Sequence, residues 1–256
     1  MKRKEVTLGR WLTMTARAKV GMIIGALEEL LGVPKQKRER PDPVELLIAT
    51  LLSQHTNDRN SHRAFVSLKK EFPDWNDVLA APAKRIASAI RIGGMADQKS
   101  LRIKEILRVL KKRYGSVDLR VLRDMDVDRG LEELQSLKGV GVKTAACVFL
   151  FSLRREVFPV DTHVHRVLNL LGVVTTKTPE KTFSEMRGLV PPGTSYSLHT
   201  NLIRFGRLIC RAQKPLCGSC PLYTVCEFPG KEEGRSRTLP SSRTRGEHRF
   251  MLLDNV

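Results

Sequence analysis

The sequence predicts an all-α protein. Apolar residues recur at spacings of three and four along most of the 256-residue chain, whereas alternating runs of β-branched residues, which are typical of strands, are scarce. Hydrophobic residues make up 41% of the chain, enough for a buried core, and aromatic residues only 5%. Because the helical segments follow one another with short connections, we expect helices that pack on helices.

The helical segments can be followed in order along the chain. Residues 15–32 have apolar positions at helical spacing and end in Gly32, which fits a helix terminated by glycine. After the basic linker PKQKRERPDP, the helical period returns in VELLIATLLS, HRAFVSLKKEF, VLAAPAKRIASAI, KSLRIKEILRVLKKRYG, LEELQSLKG, VKTAACVFLFSL, DTHVHRVLNLLG, PEKTFSEMRGLV and YSLHTNLIRFGRLIC. Residues 229–256 lack this period and are rich in Gly, Ser, Arg and Pro, so we predict a flexible tail.

The charge of the chain indicates a strongly anionic partner. There are 45 Lys and Arg residues against 27 Asp and Glu, a net charge of +18. Nucleic acid fits this excess best, and an anionic membrane surface is second. No apolar run approaches the roughly 18–20 residues that span a bilayer, and the N-terminus has no pattern of a secretory signal. We therefore expect a soluble, intracellular protein that does not enter a membrane.

The stretch LKGVGVKTAAC places two glycines just before a lysine. A phosphate loop of nucleotide hydrolases needs a strand and then glycine directly before the lysine, but here Val142 precedes Lys143 and the preceding pattern is helical. The pattern instead predicts helix, tight turn, helix, with Gly139 and Gly141 in the turn, where uncovered N–H groups form an anion site. A hairpin whose glycines only close the turn is the alternative.

Lys143 and Asp161 are candidates for chemistry. Lys143 falls in the first turn of its helix, where the helix dipole disfavours an ammonium, and a lysine that is neutral part of the time is a nucleophile. Asp161 precedes a helical pattern and by itself could be only an N-cap. If the fold brings the two side chains together, they form a nucleophile and its base.

Four of the five cysteines lie in one segment, CRAQKPLCGSCPLYTVC. Such a cluster in a reducing compartment predicts a metal site built from Cys210, Cys217, Cys220 and Cys226. Zinc and an iron-sulfur cluster are both open, although zinc sites usually contain two C-x-x-C pairs and here only one is present. Cys147 is predicted to be a small buried apolar residue.

Three motifs agree in order and spacing with one family. LKGVGVKTA, VDTHVHR and the cysteine segment resemble the hairpin, the aspartate motif and the cluster loop of the endonuclease III branch of the helix-hairpin-helix DNA glycosylases. The resemblance implies two helical lobes with a DNA cleft between them. Residues 36–154 would form a six-helix lobe with the helix-hairpin-helix, and the N-terminal helix in residues 1–35 would join residues 155–228 in a lobe that holds a 4Fe-4S cluster.

The resemblance also implies a function. The protein would be a base-excision repair enzyme, a bifunctional DNA glycosylase and abasic-site lyase that removes damaged pyrimidines from double-stranded DNA. Lys143 would attack C1′ of the deoxyribose as the base leaves and form a Schiff base, Asp161 would activate the lysine, and β-elimination would cut the strand. Relatives that use water lack this lysine. We expect a monomer located in the cytoplasm with the nucleoid, if the source is bacterial or archaeal.

Two groups of residues are expected to touch DNA phosphates. Gly139, Val140 and Gly141 would hold a phosphate through backbone amides. Arg211 and Lys214, in the loop of the proposed cluster, are placed to meet others. A solvated basic surface is the alternative for these two side chains.

Two further segments would act when the base is extruded from the duplex, because something must fill the hole. LLSQHTNDRNS resembles the glutamine segment of the family and would place Gln54 in the gap, whereas GGMADQK resembles the loop that carries an apolar wedge, here Met95. The alternatives are a polar residue that ends a helix and a turn residue packed on the core.

The sequence departs from the common family pattern at His55, Asn57, Asp58 and Lys138. These departures concern the choice of substrate more than the chemistry, and some relatives that act on methylated cytosine carry a similar glutamine segment. Two other functions therefore stay open: a mismatch glycosylase for uracil or thymine opposite guanine, and a DNA-binding module without catalysis.

Overall fold

A computed structural model describes residues 8–36 and 39–239. All regular structure within these ranges is helical, which confirms the all-α prediction. The α-helices of the described residues are α1 Leu8–Leu12, α2 Ala16–Leu31, α3 Pro43–Leu52, α4 Asp58–Glu71, α5 Trp75–Ala80, α6 Ala83–Ala89, α7 Ala96–Tyr114, α8 Val127–Gln135, α9 Val142–Cys147, α10 Thr162–Leu170, α11 Pro179–Met186 and α12 Ser195–Leu208. None of them is both long and apolar enough to cross a membrane.

The described chain divides into two compact units. Residues 39–157, which carry α3 to α9, form the hairpin unit. Residues 8–36 and 158–239 form the cysteine unit, which contains α1, α2 and α10 to α12. The second unit is therefore built from two separated pieces of the chain.

Helix α3 is the centre of the hairpin unit. Every one of its residues except Glu45 is buried, and it packs on α4, α7 and α9. Its start is fixed by Asp42, whose carboxylate accepts hydrogen bonds from the amides of Val44 and Glu45 at 2.9 and 3.1 Å. Because this helix is apolar on all sides, burying it fixes where its C-terminal end, and with it Gln54, emerges.

The segment VLAAPAKRIASAI, predicted as one helical stretch, forms two helices. Pro82 lies between α5 and α6, and Ala81 before it is extended with φ −62° and ψ 148°. Proline has no N–H to donate and drives the residue before it out of the helical region, so the break falls there.

The two helices of the hairpin pack closely at a glycine. A Cβ built on Gly130 of α8 would lie 2.4 Å from Cζ of Phe149. Phe149 is fully buried and belongs to a wider helical turn, Val148–Ser152, that continues from α9. The absence of a side chain at position 130 therefore lets the Phe149 ring approach α8.

In the cysteine unit, polar side chains satisfy the carbonyl groups that the ends of α2 and α10 leave open. Asn201 and Arg204 of α12 donate to the carbonyls of Gly32 and Leu31 at the end of α2, at 3.0 and 3.1 Å. Gly32 itself has φ 77°, which confirms the predicted glycine terminus.

Side chains from the N-terminal piece of the chain donate hydrogen bonds to the carbonyls at the end of α10. Trp11 Nε1 donates to the carbonyl of Leu171 at 3.0 Å, and Lys19 Nζ donates to that of Gly172 at 2.8 Å. Trp11 is fully buried and lies in the short helix α1, which was not predicted from the helical pattern. These bonds join the two pieces of the cysteine unit.

The described part of the predicted tail, residues 229–239, packs on the cysteine loop. The amide of Gly218 donates to the carbonyl of Arg237 at 3.1 Å, and the amide of Leu239 donates to Ser219 Oγ at 2.9 Å. A Cβ on Gly234 would lie only 2.6 Å from the sulfur of Cys217, so the segment lies directly against that thiol. Residues 240–256 of the predicted tail lie outside the described residues.

The packing at Gly130 predicts whether a substitution there raises or lowers the free energy of unfolding. Glycine to alanine inside a helix normally stabilises by about 0.5–1 kcal/mol, but Gly130→Ala places a methyl group into the fully buried Phe149 ring. We expect this change to lower the free energy of unfolding by about 1–3 kcal/mol, the usual cost of overpacking. Urea unfolding followed by circular dichroism measures the difference.

Gly21→Ala is the matched control, since Gly21 lies inside α2 and no heavy atom is within 4 Å of its built Cβ. That variant should gain stability. A gain at both positions would show that the ring moves aside freely.

Candidate functional site

The glycine turn between α8 and α9 forms the centre of the candidate site in the hairpin unit. Gly139 has φ 82°, and the exposed Gly141 precedes α9 without any side-chain cap. Among the described residues, no hydrogen bond uses the amides of Gly139 or Gly141. Free amides before the start of a helix can hold an anion. Lys143 follows in the first turn of α9 with a partly exposed side chain.

Val140 differs from its two neighbours. Its side chain is buried, and its amide donates to the carbonyl of Leu137 at 3.0 Å. The expectation that it offers an amide to a phosphate is therefore corrected: Val140 anchors the turn on the core, and the free amides belong to the glycines on either side.

Two side chains from other helices hold the turn. Gln54 Nε2 donates to the carbonyl of Gly139 at 3.1 Å. Arg102 of α7 covers the other side, because a Cβ on Gly139 would lie 2.4 Å from its Cδ. Only glycine fits at position 139, both for its positive φ and for this contact. Sequence reasoning missed Arg102, since nothing in the helical pattern of α7 singles it out.

The segments of Gln54 and Met95 share a backbone feature. His55 directly after Gln54 has φ 55°, and Met95 has φ 51°, a region that residues other than glycine seldom adopt. The side chain of Met95 is 50% exposed and borders an open cavity of about 520 Å³. Met95 is therefore not a turn residue packed on the core, and its backbone conformation is of the kind that concentrates at functional positions.

Asp161 in the cysteine unit is an N-cap. Its Oδ1 accepts from the amides of His163 and Val164 at the start of α10, at 2.9 and 2.8 Å. In the described part of the chain no hydrogen bond reaches Oδ2, so this oxygen of the carboxylate can still accept a hydrogen bond or a proton. His199, which sequence reasoning missed, is buried in α12 and donates from Nδ1 to the carbonyl of Pro159 at 2.8 Å, which fixes the segment that leads to Asp161.

The four clustered cysteines line one cavity of about 130 Å³ in the cysteine unit. Its remaining walls are mostly apolar and include Leu170, Ile209 and Phe228. Burial raises the pKa of Cys220 to about 12 and that of Cys210 to about 11. These buried sulfurs would therefore carry a proton unless a cation replaces it. Cys147 is buried elsewhere, in α9 of the hairpin unit, as predicted.

Arg166 also lines this cavity. Its Nη2 donates to the carbonyls of Gly206 and Cys210, and its Nε is buried without an acceptor. A buried guanidinium N–H without a partner is energetically costly, so an acceptor for Nε is expected in its surroundings.

The two basic residues of the cysteine loop differ. Arg211 lines the cavity and donates from Nε to the carbonyl of Leu208 at 3.2 Å. Lys214 is exposed, with φ 49°. Lys214 is therefore the more accessible of the two predicted phosphate contacts.

Two substitutions at Asp161 measure how much its N-cap contributes to stability, separately from any chemical role of the carboxylate. Asp161→Ala removes the acceptor of two amides and should lower the free energy of unfolding by about 1 kcal/mol, whereas Asp161→Asn keeps an acceptor oxygen and should stay within a few tenths. Thermal and urea unfolding measure both. Equal losses in the two variants would show that the charge, and not the cap, sets this contribution.

Comparisons with known proteins agree with this geometry. Residues 48–192 match the HhH-GPD superfamily of base excision DNA repair proteins. The chain is 38% identical to Endonuclease III of Thermotoga maritima over 216 residues, which cover 83% of this chain and 97% of that protein. It is 30% identical to Endonuclease III of Sulfolobus acidocaldarius over 185 residues, 71% of this chain and 80% of the relative. It is also 34% identical to DNA glycosylase/AP lyase ROS1 of Arabidopsis thaliana, of which it spans only 14%.

Solved structures give the same result. A non-covalent Endonuclease III–DNA complex matches with a TM-score of 0.74 at 28% identity, covering 87% of this chain and 100% of that one. A trapped covalent Endonuclease III–DNA intermediate matches with a TM-score of 0.72 at 26% identity, covering 86% and 99%. The resemblance seen in the three sequence motifs is thereby confirmed: the chain belongs to the endonuclease III family within the HhH-GPD superfamily of base excision DNA repair proteins.

Proposed function

We propose that this protein is a bifunctional DNA glycosylase and abasic-site lyase that removes damaged pyrimidines from double-stranded DNA. The observation that carries the proposal is Lys143, which lies in the first turn of α9 directly after a glycine turn with free amides. The relatives named Endonuclease III and the covalent DNA intermediate of one such enzyme support it.

The hairpin would hold the DNA backbone. The free amides of Gly139 and Gly141 and the start of α9 present partial positive charge to a phosphate. Arg102 lies against the turn and adds a full positive charge. The net charge of +18 would strengthen binding to any duplex and make that binding sensitive to salt.

Lys143 would be the nucleophile. The neutral amine forms a bond to C1′ of the deoxyribose while the bond from C1′ to the base breaks, and the base leaves with that electron pair and takes up a proton. Opening of the sugar ring gives an imine between Lys143 and C1′. Removal of a C2′ proton then expels the 3′ phosphate, and water releases the lysine.

Asp161 would serve this reaction with its charge. A carboxylate can accept the proton of the Lys143 ammonium and stabilise the positive charge that develops on the sugar. Because the cap uses Oδ1 alone, Oδ2 stays available for this purpose while α10 keeps its start.

Gln54 and Met95 would enter the duplex as the base is extruded. Both follow a fixed part of the hairpin unit, the end of α3 and the turn before α7. Methionine is apolar and adaptable, so it can stack in a kinked step, and the glutamine amide can fill the gap with hydrogen bonds.

We further infer that Cys210, Cys217, Cys220 and Cys226 hold a 4Fe-4S cluster. A zinc ion bound at about 2.3 Å by each sulfur would draw the sulfurs tightly together, yet no three metal-binding side chains of the described residues are arranged to hold a single ion. The cavity of about 130 Å³ between the thiols favours a larger group. The Nε of Arg166 without an acceptor fits the negative charge of thiolates and sulfides. When bound, the cluster would cross-link the loop.

Borohydride trapping tests the nucleophile. With a duplex that contains an abasic site, the protein should form a covalent complex that Lys143→Ala abolishes, because borohydride reduces the imine that only Lys143 forms. Lys138→Ala is the matched control, since Lys138 is an exposed lysine of the same turn and should leave trapping unchanged. Undiminished trapping in Lys143→Ala would remove this lysine from the mechanism.

The same assays extend to the carboxylate and the substrate. Asp161→Asn, which keeps the cap, should lower the rate by about 100-fold or more, the usual size of a lost general base. Turnover of thymine glycol against a G·U duplex separates a damaged-pyrimidine enzyme from a mismatch glycosylase. Salt-sensitive binding without base release from either duplex would point to a binding module instead.

The cluster has its own spectroscopic test. The purified protein should show an absorbance shoulder at about 400 nm from sulfur-to-iron charge transfer, which Cys217→Ser should weaken or abolish. Cys147→Ala is the control, because Cys147 is buried in α9 away from the cavity. A colourless protein with one bound zinc would contradict the inference.

A further inference from the structure

Lys99 is an unusual lysine because it is buried in the hairpin unit. Its exposed fraction is 3%, and Lys19 is the other buried lysine of the described residues. Burial lowers the pKa of Lys99, and a buried ammonium is unfavourable unless its hydrogen bonds are satisfied. The mechanism above gives Lys99 no task, so its position needs another reason.

The Lys99 ammonium donates to two backbone carbonyls from different parts of the chain. Nζ lies 2.9 Å from the carbonyl oxygen of Leu52 and 2.9 Å from that of Gly93. Leu52 is the last residue of α3, where carbonyls lack helical partners and the dipole is negative, which favours a cation. Gly93 ends a short turn, Arg91–Gly93, before α7.

Each of these carbonyls lies two residues before a side chain assigned to the DNA. Leu52 precedes Gln54, and Gly93 precedes Met95. Lys99 itself is too buried to reach a ligand. The Lys99 ammonium therefore links the backbone just before Gln54 to the backbone just before Met95.

The backbone beyond both contacts is held in an uncommon conformation. Only four residues besides glycine have positive φ in the described chain, and two of them are His55, next to Gln54, and Met95 itself. Such conformations are energetically unfavourable and persist where the surroundings determine them fully. Gly93 is also packed tightly, since a Cβ there would lie 3.0 Å from Cβ of Ala64.

We propose that Lys99 is a positioning residue that holds the Gln54 and Met95 segments at a fixed separation, so that both side chains enter the duplex together during base extrusion. The proposal rests on the proposed function, because that function gives Gln54 and Met95 their place in the DNA. Lys99 would thus couple the insertion of Gln54 to that of Met95 without touching the DNA itself.

The test compares Lys99→Met with Lys104→Met. Methionine keeps much of the side-chain volume and removes the donors of Lys99. Lys104 lies on the same helix and donates to the carbonyl of Ala81, which belongs to neither inserting segment, so it is a matched control. Single-turnover rates are measured on a duplex with thymine glycol and on the same duplex with a preformed abasic site.

The expected result is a difference between the two substrates. Lys99→Met should slow release of thymine glycol by about tenfold to 100-fold, as expected when positioned groups shift by about 1 Å. Strand cutting at the abasic site should change by less than about threefold, because no base has to leave the stack there. Lys104→Met should leave both rates close to those of the parent protein.

A fluorescence readout separates positioning from stability. With 2-aminopurine opposite a tetrahydrofuran abasic analogue, insertion of the wedge unstacks the reporter and raises its fluorescence, and Lys99→Met should lose most of this rise at saturating protein. Gln54→Ala and Met95→Ala should reduce the fluorescence rise much less in the Lys99→Met background than in the parent protein. The effects of residues that act as a unit are not additive.

Equal losses on the two substrates, or the same result for Lys99→Met and Lys104→Met, overturn the proposal. If Lys99→Met does not fold, Lys99→Gln keeps one donor group and should show the same asymmetry at smaller size. A parent protein that neither releases thymine glycol nor cuts the abasic site refutes the proposed function instead, and the fluorescence assay, which needs no catalysis, still decides for or against Lys99.

Discussion

The ends of helices set the main constraint on this protein. Each helix leaves carbonyls or amides without intrahelical partners, and burying them unpaired is costly. The cysteine unit closes the end of α2 with side chains of α12 and the end of α10 with Trp11 and Lys19. The hairpin unit closes the end of α3 with Lys99. Like α6, α7 and α12, α9 begins without a side-chain cap, and the neighbouring amides of Gly139 and Gly141 make no hydrogen bond within the described residues. In the proposed function, these free amides would hold a phosphate of the DNA.

The sequence predicted the elements that depend on local pattern. Helical periodicity indicated most of the long helices, and Gly32 and the hairpin glycines indicated where helices end, because these signals act within a few residues. The sequence did not reveal which distant groups satisfy the backbone. Lys99 reaches a carbonyl 47 positions earlier in the chain, and Gln54 one 85 positions later. Such partners depend on packing between helices, so nothing in the helical pattern around Lys99 singles it out.

The cysteine loop shows a second limit of sequence reasoning. The spacing of the cysteines indicated a metal but left zinc and iron-sulfur both open, because spacing says little about how far apart the sulfurs lie. The composition after Pro229 predicted a flexible tail, yet its described residues, 229–239, pack on the loop through backbone hydrogen bonds and through Gly234 against Cys217. Backbone contacts of this kind leave little trace in composition, since almost any residue can make them.

The first amides of α9 have no side-chain cap, whereas those of α10 are capped by a carboxylate. This difference fits the roles proposed for the two helix starts. The start of α9 leaves its amides uncovered and therefore attracts an anion such as a phosphate. The start of α10 is closed by the Asp161 carboxylate, which occupies the amides of His163 and Val164 and would repel a phosphate. Serine, threonine or asparagine would cap α10 about as well, so capping alone does not require a charged residue. A fixed negative charge held by its own helix is suited to a site where positive charge develops on a sugar, and the cap supplies the rigidity that such stabilisation needs. In the proposed mechanism, the structural and the chemical tasks of Asp161 would be complementary, because the cap on Oδ1 fixes the direction in which Oδ2 presents its charge.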